Sequence, residues 1–375
     1  MKLLYLMDTL YKAGGMEHIL TEKANVLSRD YGYEVLVVTN HQKGRPLFFP
    51  LDASVRHIDL DVNYRFPWNM PRYVRRLSAL MEKERPDVLI SLCMKDLPIL
   101  SRLPKTGVQM AEFHFCRETF RIKGQENRLR KMEEAVRGLD CFVALTREDA
   151  ALWKPYCKRV EQIYNPSFMP VSDGTGASVQ ARRCISAGRF EPQKDFSQLV
   201  AVWKRVHAKH PDWTLAIFGN GKQKKAVARL IRKEGLEQSI HLYPATRELH
   251  REMQRSSLFL MTSRYEGFPL VMIEAASLGL PFLSYACPCG PGEFIENGVD
   301  GFTVAPGDVQ GLADRICDCM EHSELLEAMS RNIQRKAAAF TVPVIMRQWD
   351  ALFRSLVTGP QPQGPGCPGS PEDRP

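Results

Sequence analysis

Leu258-Phe259-Leu260-Met261-Thr262-Ser263-Arg264-Tyr265-Glu266-Gly267-Phe268-Pro269-Leu270-Val271-Met272-Ile273-Glu274-Ala275-Ala276 reads as a strand, a loop and the opening of a helix. Leu258–Thr262 shows no polar alternation, as a strand covered on both faces of a parallel sheet requires. Pro269 suits the first helical turn, where its missing N–H is no loss. The free N–H groups of Phe268, Leu270 and Val271 then point out of the helix start and make an anion site. Glu266 in the loop and Glu274 about one turn into the helix flank that site. Like charges keep a carboxylate off a phosphate, whereas a sugar hydroxyl donates to one readily. Two carboxylates beside a diphosphate site therefore fit a nucleotide sugar. Taken by itself, the same spacing also fits a surface loop carboxylate and a helix-capping one.

Outward from this stretch the pattern repeats. Lys2–Met7, Val35–Thr39, Val55–Leu60, Asp87–Ser91, Val108–Phe113, Cys141–Leu145 and Glu161–Tyr164 form one series of expected strands. Cys184–Gly188, Trp213–Phe218, Ile240–Tyr243, Leu258–Thr262, Pro281–Tyr285 and Gly301–Val304 form a second. Amphipathic stretches lie between them, among them Glu17–Tyr31, Tyr73–Arg85, Phe196–His210, Lys222–Glu234 and Gly311–Met320. This alternation predicts an α/β chain of two doubly wound, Rossmann-like domains, with the ligand crevice at the strand carboxyl ends between them. The expected division is 1–170, 171–340, a helix at 341–358 carrying Trp349 and Phe353, and a tail at 359–375. Asn165–Ala181, around Ser172–Ser178, reads as a solvated linker. The tail has 6 Pro and 4 Gly among 17 residues, a composition that predicts disorder.

Composition narrows the function. With 375 residues, 44% hydrophobic and 25% charged, the chain reads as globular. Its net charge is +8, from 51 basic and 43 acidic side chains; residues 1–170 hold 27 and 21 of these, a balance of +6. A mildly basic first half suits an anionic ligand or an anionic lipid surface. Nucleic acid is the poorest fit, because the excess is modest and no recognition module appears. No run approaches the ~18 apolar residues of a membrane span. The apolar start turns polar at Asp8, too early for a secretory signal, so a cytoplasmic protein is expected. The ten Cys include no Cys-x-x-Cys pair, and Cys287/Cys289 and Cys317/Cys319 lack zinc-knuckle spacing, which points to reduced thiols.

Further motifs carry chemistry. In Ser186-Ala187-Gly188-Arg189-Phe190-Glu191-Pro192-Gln193-Lys194-Asp195, Gly188 permits a turn after a strand. Arg189 and Lys194 can then reach one point from two sides of a loop. Fixed cations there stabilise a departing diphosphate more than the bound ground state; a solvated pair is the alternative. Gly14-Gly15-Met16-Glu17 is a second phosphate-cradle candidate and departs from the Gly-x-Gly-x-x-Gly fingerprint of dinucleotide dehydrogenases. Phe218-Gly219-Asn220-Gly221 follows another strand, and His114 ends Val108–Phe113. Asp59-Leu60-Asp61 matches an Asp-x-Asp metal motif, but its alternation reads as a half-buried strand. From Tyr64 to Arg76, four aromatics and four Arg occur without an acidic residue. That mixture suits a membrane interface, or a folded connection and a solvated helix face.

The Glu266–Glu274 segment resembles the Glu–seven residues–Glu signature of glycosyltransferase family four, retaining enzymes of the two-Rossmann GT-B fold. Leu278-Gly279-Leu280-Pro281 and the run from Gly290 to Gly301 continue the likeness. Cys287-Pro288-Cys289-Gly290-Pro291 is similar to members that extend bacterial surface polysaccharides and lipid-linked oligosaccharides. The likeness covers most of 1–357, strongly after residue 184. It implies Arg189 and Lys194 as the cations on the leaving diphosphate, Glu266 and His114 on the donor sugar, and Glu274 on the ribose. Around the same donor it implies Gly14, Gly15, Gly219 and the backbone of Gly267, Phe268 and Leu270. The implied reaction moves a hexose or N-acetylhexosamine from a nucleotide-diphosphate sugar, expected to be UDP-linked, to a glycan or lipid-linked glycan. No cofactor and no metal are implied, because Arg189 and Lys194 take the metal's electrostatic role. Pro244 stands where relatives carry a Gly after the strand Ile240–Tyr243. The alternatives are a GT-B epimerase or phosphorylase, and a non-catalytic nucleotide- or glycan-binding module.

Overall fold

The computed structural model describes residues 1–64, 66–169, 177–178 and 180–359, the side chain of Pro67 excepted. Most of the expected linker around Ser172 and all of the expected tail beyond Gly359 lie outside the described residues. Seven parallel strands make the first sheet: β1 (Lys2–Met7), β2 (Glu34–Thr39), β3 (Arg56–Asp59), β4 (Val88–Ser91), β5 (Val108–Phe113), β6 (Cys141–Ala144) and β7 (Val160–Gln162). Their spatial order is β3-β2-β1-β4-β5-β6-β7. Six more make the second: β8 (Arg183–Ala187), β9 (Thr214–Phe218), β10 (Ile240–Tyr243), β11 (Leu258–Met261), β12 (Phe282–Tyr285) and β13 (Gly301–Val304), ordered β10-β9-β8-β11-β12-β13. Both orders reverse beside their first strand, which opens a crevice at the carboxyl ends there.

Period-two alternation sends side chains to opposite sheet faces. Leu4 and Leu6 enter one buried cluster with Leu36, Leu89 and Phe142. Leu3, Tyr5 and Met7 enter another with Val35, Val37 and Ile90. That second cluster is completed by Ile345, Met346, Trp349, Leu352 and Phe353 of the helix Val342–Thr358, which thus returns to the first sheet. The basic stretch from Arg117 to Arg137 folds as the helices Glu118–Ile122 and Glu126–Arg137; Leu129, Met132 and Val136 are buried in the latter.

The two halves meet where their strands end. Gly267 lies against the His114 backbone so closely that a Cβ would fall 2.5 Å from the His114 carbonyl oxygen. A Cβ on Gly15 would meet the Leu270 side chain at 3.1 Å. Glu293 accepts from the N–H groups of Arg147 at 2.7 Å and Glu148 at 3.1 Å, and from the Tyr164 hydroxyl at 2.6 Å. In return Glu148 accepts from the Cys289 N–H at 2.8 Å. Cys116, Asp149 and Cys289, all buried at this seam, bring their donor atoms within 4.8 Å of one another.

Candidate functional site

Four loops converge at the strand ends: after β1 (Gly14, Gly15), β5 (His114), β8 (residues 188–195) and β11 (residues 262–269). The β8 loop is built around Gly188, where a Cβ would strike the Lys194 stem at 2.9 Å. Lys194 Nζ donates to Glu266 Oε1 at 2.7 Å, and both side chains are largely buried. Gln193 holds the same carboxylate at 3.3 Å and the Tyr265 carbonyl at 3.1 Å. Thr262 donates to the Asp195 carbonyl at 3.0 Å, while Arg264 Nε reaches the Asp195 carboxylate at 2.7 Å. The resemblance implies Lys194 on a diphosphate and Glu266 on a sugar; here the two form an ion pair.

The β11 loop leads into the helix Leu270–Ser277, with Pro269 at its N-cap rather than inside the first turn. The Phe268 ring is core, packed on Tyr164, Phe294 and Phe340. Glu274, the fifth helical residue, makes no hydrogen bond or ion pair among the described residues, and burial pushes its carboxyl up to about 7. A half-buried carboxylate with no acceptor role among the described residues is open to incoming donors such as hydroxyls. Arg189 is exposed at the crevice, close enough for its charge to act on Glu17 of the helix α1 (Gly15–Arg29). Burial raises the Glu17 carboxyl against the pull of Lys12 and Arg189. Glu17 also folds over Gly14, where a Cβ would overlap its carboxylate.

His114 has a ring only 5% exposed, with Nε2 3.1 Å from Glu112 Oε1. Glu112 is also bonded to Lys23 of α1. The turn after β9 requires glycine: Gly219 (φ +154°) and Gly221 (φ +151°) leave no room for a Cβ against the backbone of Gly188 and Phe190. Lys224 donates to the Gly219 carbonyl at 2.9 Å. Tyr243, just before Pro244, stacks on Phe218 at 4.8 Å and is 39% exposed.

Sequence reading assigned no role to Gln193 or Glu17 and missed the pairing of Glu112 with Lys23. Lys23 did carry a signal, because it stands on the α1 stripe of Leu20, Ala24 and Leu27 where an apolar residue belongs. The Asp-x-Asp residues stand at the far edge of the first sheet. Asp59 there accepts from Thr39 at 3.0 Å and the Gln42 N–H at 3.0 Å, and Asp61 faces His41 at 2.9 Å. The Tyr64–Arg76 segment divides. Tyr64 and Tyr73 are buried and stacked at 4.7 Å, whereas Phe66 and Trp68 stack at 4.9 Å in solvent, Trp68 being 73% exposed. No described helix is long and apolar enough to cross a membrane.

Fold and site define a two-sheet α/β protein whose crevice brings together cations, a helix start and carboxylates. Residues 174–336 match the family model described as glycosyl transferases group 1. An uncharacterized glycosyltransferase of Haemophilus influenzae is 25% identical over 350 residues, 91% of this chain and 96% of its own. The amylovoran biosynthesis glycosyltransferase AmsD of Erwinia amylovora is 25% identical over 367 residues, 94% of this chain and 99% of its own. Among solved structures, a TarM variant of S. aureus in complex with fondaparinux, alpha-GlcNAc-glycerol and UDP has the same fold. Its TM-score is 0.80 at 14% identity, over 94% of this chain and 100% of that one. The chain is a glycosyltransferase with GT-B architecture, and residues 174–336 carry its match to the group 1 model.

Proposed function

We propose that this enzyme moves a hexose or N-acetylhexosamine from a UDP-sugar to a glycan or lipid-linked glycan, with retention of configuration. The observation that carries the reading is the Lys194–Glu266 pair, 2.7 Å apart in the crevice that also holds the exposed Arg189 and the Glu274 carboxylate, unpaired among the described residues. Diphosphate arriving at the helix start would draw Lys194 and Arg189 onto itself and release Glu266 to the sugar hydroxyls. Glu274 would take the ribose, His114 the sugar from the opposite side, and Gly14, Gly15, Gly219 and Gly267 the close backbone approaches. As the glycosidic bond breaks, charge grows on the leaving diphosphate, and cations fixed in a dry cleft lower that barrier most. The leaving phosphate helps take the proton from the attacking hydroxyl on the same face. No metal is required in this scheme, since two fixed cations supply the charge. AmsD is named for amylovoran biosynthesis and TarM was crystallised with UDP, which supports a polysaccharide acceptor and a uridine donor.

The test is a panel of nucleotide sugars, with and without glycan acceptors, followed by NMR of the product anomer. UDP release that needs an acceptor, with retained configuration, supports the reading; inversion overturns the stereochemistry. Donor conversion without acceptor would mark an epimerase, and binding without turnover a recognition module. We further place the enzyme at the cytoplasmic membrane face, docked through Phe66 and Trp68 beside Arg72 and Arg75, where rings and cations both find lipid partners. Co-sedimentation with anionic liposomes, lost in Phe66→Ser/Trp68→Ser, is the expected result. No binding by the unaltered protein removes this placement.

A further inference from the structure

Lys23 and Glu112 form an ion pair in which each side chain is 1% exposed. Such a pair gains little over well-packed apolar side chains, since both ions give up water, while removing one partner alone is strongly destabilising. Its surroundings show what it connects. Lys23 projects from α1, the helix that starts at the first glycine loop, and its ammonium lies 3.9 Å from the Trp349 ring centroid and 5.3 Å from that of Tyr5. Trp349 belongs to the returning helix Val342–Thr358. Glu112, near the end of β5, uses one carboxylate oxygen for Lys23 and faces His114 Nε2 with the other at 3.1 Å. Burial alone would raise the Glu112 carboxyl, but the Lys23 ammonium and His114 outweigh it and hold it at about 2. Glu112 therefore remains an anion, and its charge 3.1 Å from Nε2 favours the proton on that nitrogen even though the pair misses hydrogen-bond alignment.

We propose that Lys23, clamped by Trp349, is a positioning residue that acts through Glu112 to lock the ring orientation and tautomer of His114 at the donor side of the crevice. The proposal rests on His114 facing the donor sugar, as set out above. It ties α1, β5 and the returning helix to one side chain at the seam, so the C-terminal helix contributes to donor geometry without reaching the crevice.

Lys23→Met alone leaves a bare buried carboxylate and can unfold the protein, so the decisive variant is the neutral pair Lys23→Met/Glu112→Gln. A cycle compares the parent enzyme, His114→Ala, the neutral pair and the triple variant. Turnover of the neutral pair should fall about tenfold to a hundredfold, the scale of a displaced reacting group, with little change in KM for the nucleotide sugar. His114→Ala should then cost far less in the neutral-pair background than in the parent. Nitrogen-15 NMR of the imidazole should show one Nε2-protonated tautomer in the parent and a mixture in the neutral pair, a readout that a purely structural role would not move. Unchanged turnover in the neutral pair, or a full His114→Ala effect within it, overturns the proposal and leaves the donor-sugar role of His114 standing. A His114→Ala variant as active as the parent removes both.

Discussion

On the proposed reading Lys194 supplies charge and Glu274 hydrogen bonding, and each role can be tested alone. Lys194→Ala removes the buried cation while Glu266 keeps Gln193 as a partner. Turnover should drop by about two to three orders of magnitude, the scale of losing one preorganised charge-stabilising group, with a circular dichroism spectrum like the parent's; near-normal turnover would exclude the leaving-group role. Glu274 couples function to stability through pH. Its carboxyl sits at about 7 when folded against 4.5 in the unfolded chain. Between those values the folded state binds the extra proton, so ionisation opposes folding and stability is lost as pH rises through 7. Glu274→Gln should thus melt higher than the parent at pH 8, by up to about 3 kcal/mol, and nearly with it at pH 5. The same variant should show weaker thermal stabilisation by UDP. A pH-independent difference would mean that the carboxylate is not held out of water.

At the scale of elements, the loops carry the precision and the strands merely present them. Gly267 is the clearest case: a methyl group there would fall 2.5 Å from the His114 carbonyl oxygen, and backbone cannot yield as a side-chain tip can. Gly267→Ala should push the β11 loop off β5 and lower kcat/KM about a hundredfold, with melting reduced only modestly; wild-type kinetics would show that the seam opens freely. The strands themselves were plain in the sequence because continuous apolar runs such as Leu258–Met261 and Lys2–Met7 have few other ways to be buried. Glycine turns after β1, β8 and β9 were legible for the same local reason. Contacts between distant segments were not. Nothing near Glu266 announces that Lys194 will neutralise it, and nothing near Lys23 announces Glu112. Phe66 and Tyr64 look alike in sequence, yet one is solvent-facing and the other core. The difference lies with Tyr73, whose ring completes a buried helix stripe with Leu77 and Met81 and draws Tyr64 in.

For the whole molecule, the question is what holds two separately cored sheets at a working distance. Polar groups do much of it, and polar contacts can be remade in a second arrangement more easily than an interlocked apolar core. Glu293 makes three of these ties: from the second half it caps the first turn of the helix Arg147–Trp153 in the first half, taking two backbone N–H groups and the Tyr164 hydroxyl. A carboxylate at a helix N-terminus gains from both the free N–H groups and the helix dipole. Glu293→Ala should cost about 1–2 kcal/mol, lowering Tm by a few degrees at this size. Because the lost bonds span the seam and neither core, small-angle scattering of the free variant should show a larger radius of gyration than the parent. Saturating nucleotide sugar should restore the parent value, since the proposed donor site draws on Arg189 and Lys194 from one half and His114 from the other. An unchanged radius in the free variant would show that Gly267 on His114 and Leu270 on Gly15 suffice to fix the halves. An expanded radius that no donor reverses would show that the crevice does not bind across both.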